Sequence, residues 1–141
     1  LKFKINYFKL YINSVSNMCQ ICKSKEDNNN YKHILNLTTI NCYSCTILTK
    51  IPILPNLIIL DCNGCINLTE IPILPKLTKF YGWSCTSLVK IPILPNLTEL
   101  YCSICTILTE IPILPKLTKL VCNYCTSLTD IPSLPNLSEL D

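Results

Sequence analysis

Residues Tyr101 to Leu120 read YCSICTILTEIPILPKLTKL, and this stretch decides the fold because its pattern recurs every twenty residues. Five blocks in register begin at Asn41, Asp61, Tyr81, Tyr101 and Val121. The lead-in ILNLTTI at residues 34–40 carries the same apolar spacing. A fixed period near twenty is typical of a solenoid, in which each repeat buries its apolar side against its neighbours. The sequence therefore predicts a stack of twenty-residue rungs.

Each block divides into a strand-like part and a proline-rich part. The first part, LTELYCSIC at residues 97–105, fits L-x-x-L-x-L-x-x-N/C, with Cys102 in the third apolar position and Cys105 in the Asn/Cys position. In the second part, Pro112 and Pro115 remove backbone donors and hold the preceding residues in extended conformations. The arm that returns to the next rung is therefore predicted to be extended and not helical.

These repeats resemble those of the leucine-rich repeat family, and the resemblance covers residues 34–141. Similar short Cys-containing repeats with IPxLP arms occur in large DNA viruses and amoeba-associated bacteria. The resemblance implies a mainly β leucine-rich repeat horseshoe. Its short parallel strands would line the concave face, and its extended Pro-rich arms would form the convex face.

Residues 1–33 do not follow the repeat and are predicted to form an N-terminal capping or flanking segment. LKFKINY at residues 1–7 alternates apolar and polar residues, which indicates a half-buried strand, whereas KSKEDNNN at residues 23–30 indicates a turn or loop. Residues 34–141 are expected to be the solenoid. Its C-terminal cap is expected to be missing, as in a fragment of a longer protein.

Composition argues against several classes of function. The 141 residues include no Arg, the preferred residue for bidentate recognition of phosphate or carboxylate. His33 is the only histidine, which leaves a catalytic triad or a multi-histidine metal site almost nothing to draw on. Residues 1–33 carry a net charge of +4 and residues 34–141 a net charge of −1, within a total of +3. No apolar run reaches the roughly 18 residues that a membrane span needs. We expect a protein that is not an enzyme and binds neither nucleic acid nor membranes.

Ten of the eleven cysteines form CxxC pairs, and the repeat cysteines recur at fixed block positions. We interpret the repeat cysteines as small buried core residues in a reduced, cytoplasmic protein without a cofactor. The alternative is zinc, because Cys19-x2-Cys22 precedes Cys42-x2-Cys45 by 19 residues, a spacing typical of structural zinc sites. In that alternative, His33 could replace one repeat cysteine as a ligand.

Outward-facing positions of the predicted strands carry the candidate binding residues. They are Tyr43, Tyr81, Trp83 and Tyr101 among the aromatics, with Lys79 and Glu99 in a column of alternating charge. Exposed Tyr and Trp are typical binding anchors, although aromatic pairs also stabilise adjacent strands, and charge columns also serve solubility and register. The block containing Trp83 alone has Gly82 in place of its first Cys, which either makes space for bulky neighbours or reflects drift.

The sequence favours a protein-interaction scaffold that binds another protein on its concave face. One alternative is the substrate-recognition arm of a ubiquitin-ligase system, whose other domains would lie outside this chain. A second alternative is a secreted or surface adhesion repeat, for which Asn-x-Ser/Thr sequons are present but are largely a product of the repeat itself.

Overall fold

The computed structural model describes residues 19–26 and 31–141, so the strand predicted in residues 1–7 lies outside the described residues. The predicted mainly β repeat solenoid with short parallel strands is confirmed. The helical elements are α1 (Gln20–Glu26) and a 3-10 turn (Tyr31–His33). The strands are β1 (Thr39–Asn41), β2 (Ile59–Asp61), β3 (Lys79–Tyr81), β4 (Glu99–Tyr101), β5 (Lys119–Val121) and β6 (Glu139–Leu140).

The six strands form one parallel sheet in chain order, and each strand pairs with the next. The register offset is one block throughout, as in Lys79 opposite Glu99 and Glu99 opposite Lys119. Because the strands are parallel and every rung has the same length, equivalent residues of successive rungs lie directly beside one another. Each sequence position of the repeat therefore becomes a column that runs along the solenoid.

Three turns close each rung after its strand. In the block that starts at Asn41, Cys45 N donates to Cys42 O (3.0 Å), Leu48 N to Cys45 O (3.4 Å) and Leu57 N to Leu54 O (3.2 Å). The third turn has Pro55 at its second position, where a fixed φ is favourable. A strand and three turns thus complete the rung without a helix, as expected from the positions of the prolines.

The core consists of the inward columns of these rungs. In one complete rung, the inward side chains are 0–3% exposed; they are Cys102, Cys105, Leu108, Ile111, Leu114, Leu117 and Leu120. The same positions are buried in the rungs before it, which makes the core continuous along the solenoid. Burial of a Leu or Ile side chain stabilises a fold by roughly 1.5–3 kcal/mol, so the Leu and Ile columns are the main source of stability.

Polar columns on the surface also connect rung to rung. Thr98 Oγ1 donates to Thr78 O (3.0 Å), and Thr118 Oγ1 donates to Thr98 O (3.0 Å). In the third turn, Asn96 Nδ2 donates to Pro75 O (2.7 Å) and Lys116 Nζ donates to Asn96 Oδ1 (2.7 Å). Asn and Lys alternate in this column, so a Lys–Asn hydrogen bond and an Asn–carbonyl hydrogen bond follow each other along it with a forty-residue period.

The glycine in the third block makes space for a large core side chain. Phe80 fills the position that is Leu or Ile in the neighbouring rungs and is fully buried. A Cβ at Gly82 would lie 2.7 Å from Phe80 Cζ and 3.0 Å from Phe80 Cε1. The structure shows that the space at Gly82 is used by the core residue Phe80, and not by the bulky outward-facing residues on either side of the glycine.

The residues that precede the first rung correct one expectation. The segment at residues 23–30 was predicted as a turn or loop, but residues 23–26 belong to helix α1. Ile21 and Cys22 of this helix are buried in the same core cluster as the first rung, together with Ile34. Burial of these apolar residues outweighs the polar composition of the segment and favours the helix.

Candidate functional site

The outward side of the sheet, here called the strand face, is where the predicted binding residues lie. The middle residue of each strand from β1 to β5 is buried, and its two neighbours point outward, as alternation along a strand requires. The strand face comprises two outward columns, Thr39, Ile59, Lys79, Glu99, Lys119 and Glu139, then Asn41, Asp61, Tyr81, Tyr101 and Val121. The first turn of each rung borders this face.

Ion pairs join the charged residues of the strand face. Lys79 Nζ lies 2.7 Å from Glu99 Oε1, and Lys119 Nζ lies 2.7 Å from Glu139 Oε2. The hydrogen bond from Lys79 lowers the pKa of the Glu99 carboxyl, and the same bond raises the pKa of Lys79. The alternating column predicted from the sequence is therefore a set of paired charges between neighbouring strands.

The two tyrosines of the strand face stack. The rings of Tyr81 and Tyr101 have centroids 4.9 Å apart at an interplanar angle of 22°. Tyr101 Oη donates to Glu99 Oε2 (3.3 Å), and Lys119 Nζ lies 5.8 Å from the centre of the Tyr101 ring. Burial is the main cause of the raised pKa of Tyr101. These contacts hold both rings in one orientation on a half-exposed surface.

Trp83 and Tyr43 occupy the same position of the first turn, two rungs apart. Their side chains are 48% and 59% exposed. Trp83 N donates to Asn63 Oδ1 (2.8 Å), which fixes the turn, while its indole faces solvent. The structure thus brings Lys79, Tyr81, Glu99 and Tyr101 into one network. It places Trp83 at the border of that network and Tyr43 two rungs away from Trp83.

The sequence analysis missed an exposed apolar column on the return arm. It consists of the middle residue of the IPxLP arm in four rungs, which is 59–69% exposed: Ile53, Ile73, Ile93 and Ile113. The repeated Ile between the two prolines was visible in the sequence. Neither the core nor the turn requires an apolar residue at this position, so its recurrence indicated an exposed apolar column. This column supplies a second apolar surface with which the strand face can be compared experimentally.

Three of the four cysteines predicted as zinc ligands lie together where helix α1 covers the first rung. The Sγ atoms of Cys19, Cys22 and Cys45 all lie within 4.8 Å of one another, and the Cys22 and Cys45 Sγ atoms are 3.5 Å apart. A hydrogen bond between Cys19 and Cys42 raises the pKa of Cys19 and lowers the pKa of Cys42. His33 does not belong to this thiol cluster; its Nε2 lies 3.0 Å from Ser24 Oγ.

The other repeat cysteines have a different environment. In the second Cys column, each thiol donates to a backbone carbonyl of the preceding rung at 3.0–3.2 Å: Cys65 to Cys42, Cys85 to Cys62, Cys105 to Gly82 and Cys125 to Cys102. All eleven cysteines are free thiols. Each Cys of this column therefore fills the core as a small apolar residue and also donates a hydrogen bond to the preceding rung.

Among the described residues, no helix has the length and apolar character needed to cross a membrane. No protein-family profile, curated protein or solved structure matches this chain, so its function is inferred from the geometry of these sites.

Proposed function

We propose that the chain is a leucine-rich-repeat-like scaffold, not an enzyme, that binds another protein across the strand face. The observation that carries this proposal is the stacked Tyr81–Tyr101 pair, held on a half-exposed surface by Glu99 and Lys119. Rigid, partly exposed aromatic rings bury a large area on binding and lose little conformational entropy. Trp83, at the border of the pair, extends the same surface.

The neighbouring rungs support a binding role for the aromatic pair over a packing role. At the column position of Tyr81 and Tyr101, the adjacent rungs carry Asp61 and Val121, and their strands pair in the same register. The sheet therefore does not need aromatic residues at this position. Their concentration in two adjacent rungs is better accounted for by a partner that contacts both.

The charges of the strand face indicate what kind of partner fits. Lys79, Glu99, Lys119 and Glu139 alternate in sign along the column. Such a surface complements a protein segment of mixed charge and gives no extended positive field for a polyanion. A protein or peptide is therefore the proposed partner, and nucleic acid is not.

The thiol column favours a reducing compartment, such as the cytoplasm, for this function. Each thiol of the second Cys column that donates to a carbonyl must carry its proton. Oxidation of these thiols would remove the hydrogen-bond donors. Reducing conditions of the kind found in the cytoplasm preserve them.

The proposal is tested with peptide ligands selected against the purified chain from a random display library. Trp83→Ala and Tyr101→Ala should each raise the dissociation constant of the selected ligand by about 30-fold, which corresponds to a loss of binding free energy of about 2 kcal/mol. The dissociation constant and the thermal midpoint are measured on the same samples, so that loss of fold is separated from loss of contact.

Ile93→Ala is the matched control, because Ile93 is an exposed apolar residue of the same rung but lies on the return arm. It should leave the affinity unchanged. The strand face would be contradicted as the binding surface if Ile93→Ala reduced the affinity for the ligand while Trp83→Ala and Tyr101→Ala left it unchanged.

A further inference from the structure

We propose that Cys19, Cys22 and Cys45, with Cys42 as the fourth ligand, form a structural zinc site that joins helix α1 to the first rung. This site is independent of partner binding, because it lies where α1 covers the first rung and does not use the stacked tyrosines. Its function would be to attach the segment that covers the apolar end of the solenoid.

The distances between the thiols fit a single tetrahedral ion. Zinc binds thiolate at about 2.3 Å, which places the sulfurs of a tetrahedral site about 3.8 Å apart. Three Sγ atoms already lie within 4.8 Å of one another, and Cys22 and Cys45 are 3.5 Å apart. Side-chain adjustments of about 1 Å close the three-thiolate part of the site around one ion.

Cys45 departs from the pattern of its own column. Among the described residues of that column, Cys65, Cys85, Cys105 and Cys125 donate to a backbone carbonyl one rung away. Cys45 instead faces the thiol of Cys22. The buried position at the end of the column is therefore occupied by two thiols side by side, which is a donor set for a soft metal ion.

Cys42 supplies the fourth thiol. It is buried in the first rung, three residues before Cys45, although it lies outside the tight group of three. Together the four residues have the C-x2-C-x19-C-x2-C spacing, which agrees with structural zinc sites. Coordination exchanges the thiol protons for the metal, so binding releases protons into solution.

Helix α1 needs an attachment of this kind. It has seven residues, and helices shorter than about 12 residues are unstable on their own in water. Burial of Ile21 and Cys22 supplies part of the attachment. A metal bound by thiols from both the helix end and the first rung would supply the rest. One ion also fits the short sulfur separations better than an iron–sulfur cluster, which holds its thiolates farther apart.

The test is the zinc content of the full chain, purified under reducing conditions and measured by elemental analysis. We expect about one zinc per chain and, after exchange with Co²⁺, the visible absorption of a tetrahedral thiolate complex. Cys19→Ser should lose the metal and should lower the thermal midpoint to that of the chelator-treated protein. Cys19 is only partly buried and lies outside the rungs, so this variant retains the repeat core.

Cys105→Ser is the matched control, because Cys105 is a buried thiol of the same column as Cys45 and lies remote in sequence from the cluster. It should retain one zinc per chain. Absence of zinc from the reduced protein in the presence of excess Zn²⁺ would overturn the proposal. So would retention of zinc by Cys19→Ser, a metal-independent Cys22–Cys45 disulfide, or the absorption of an iron–sulfur cluster.

Discussion

At the scale of single residues, Phe80 and Gly82 act as a pair. Every other complete rung combines Leu or Ile in the middle of its strand with Cys two residues later, whereas this rung combines a larger residue with the smallest one. The Phe80 ring occupies the volume that a side chain at position 82 would need. The rung therefore keeps its backbone in register while its core is packed differently.

This pairing predicts a double-mutant cycle. Gly82→Cys should lower the free energy of unfolding by about 1–3 kcal/mol because the thiol overpacks the core. Phe80→Leu should lower it by about 1–2 kcal/mol because it leaves a cavity. The double variant restores the combination found at Leu100 and Cys102, and its loss of unfolding free energy should be smaller than the sum of the two single losses by about 1 kcal/mol or more. Additive losses in denaturant unfolding would show that the two sites are independent.

At the scale of elements, the strands are held in register by side chains as well as by the backbone. Leu60, Phe80 and Leu100 stack inside the sheet, and Lys79, Glu99 and Lys119 alternate outside it. A slip of one residue would expose the first set and bury the second. The two columns therefore specify the same pairing from opposite sides of the sheet.

Reversing one charge in this column tests its contribution. Glu99→Lys places three lysines on adjacent strands and should lower the thermal midpoint by a few degrees, because like charges opposite each other are unfavourable. Glu99→Gln should lower the thermal midpoint by a smaller amount, since it removes the attraction between opposite charges without adding repulsion. The difference between the two variants should shrink as salt is added. Equal midpoints for both variants at low salt would mean that the column does not contribute to stability.

The sequence predicted the repeated elements well and the ends and exceptions less well. Period and proline placement were enough for the rungs, because residues such as Leu97 and Leu100 occupy equivalent buried positions in successive blocks. Helix α1 was missed because its polar sequence hides the contribution of Ile21 and Cys22, whose burial depends on the first rung. The proximity of Cys22 to Cys45 could have been predicted, because Cys22 lies twenty residues before Cys42 and is therefore equivalent to the first Cys of a preceding rung.

The candidate binding surface was predicted in part. The sequence placed Tyr81, Tyr101, Lys79 and Glu99 on one face because side chains alternate along a strand. It could not show that Tyr101 contacts both Glu99 and Lys119, since those contacts depend on side-chain orientation. Exposure of the isoleucine column on the return arm depends on the path of the backbone between the prolines. The apolar composition of the arm does not reveal this path.

At the scale of the whole molecule, the described strands form a linear stack in which each of the six pairs with the strand before it and the strand after it in the chain. Stability in such a stack is approximately a sum of rung and interface contributions. The equivalence of rungs is the claim on which the core, the columns and the strand face all depend. Deletion of one whole rung should therefore be tolerated better than deletion of part of a rung.

The most direct measurement of this claim is the free energy of unfolding of two deletion variants. Removal of residues 101–120 takes out one complete rung and lets the rungs on either side stack in register. Removal of residues 101–110 takes out half as many residues, including the last residue of β4 and the first two turns of the rung, and joins the shortened strand directly to a return arm. We predict cooperative unfolding for the twenty-residue deletion and a larger loss of stability for the ten-residue deletion. A ten-residue deletion as stable as the twenty-residue one would contradict the twenty-residue rung as the structural unit.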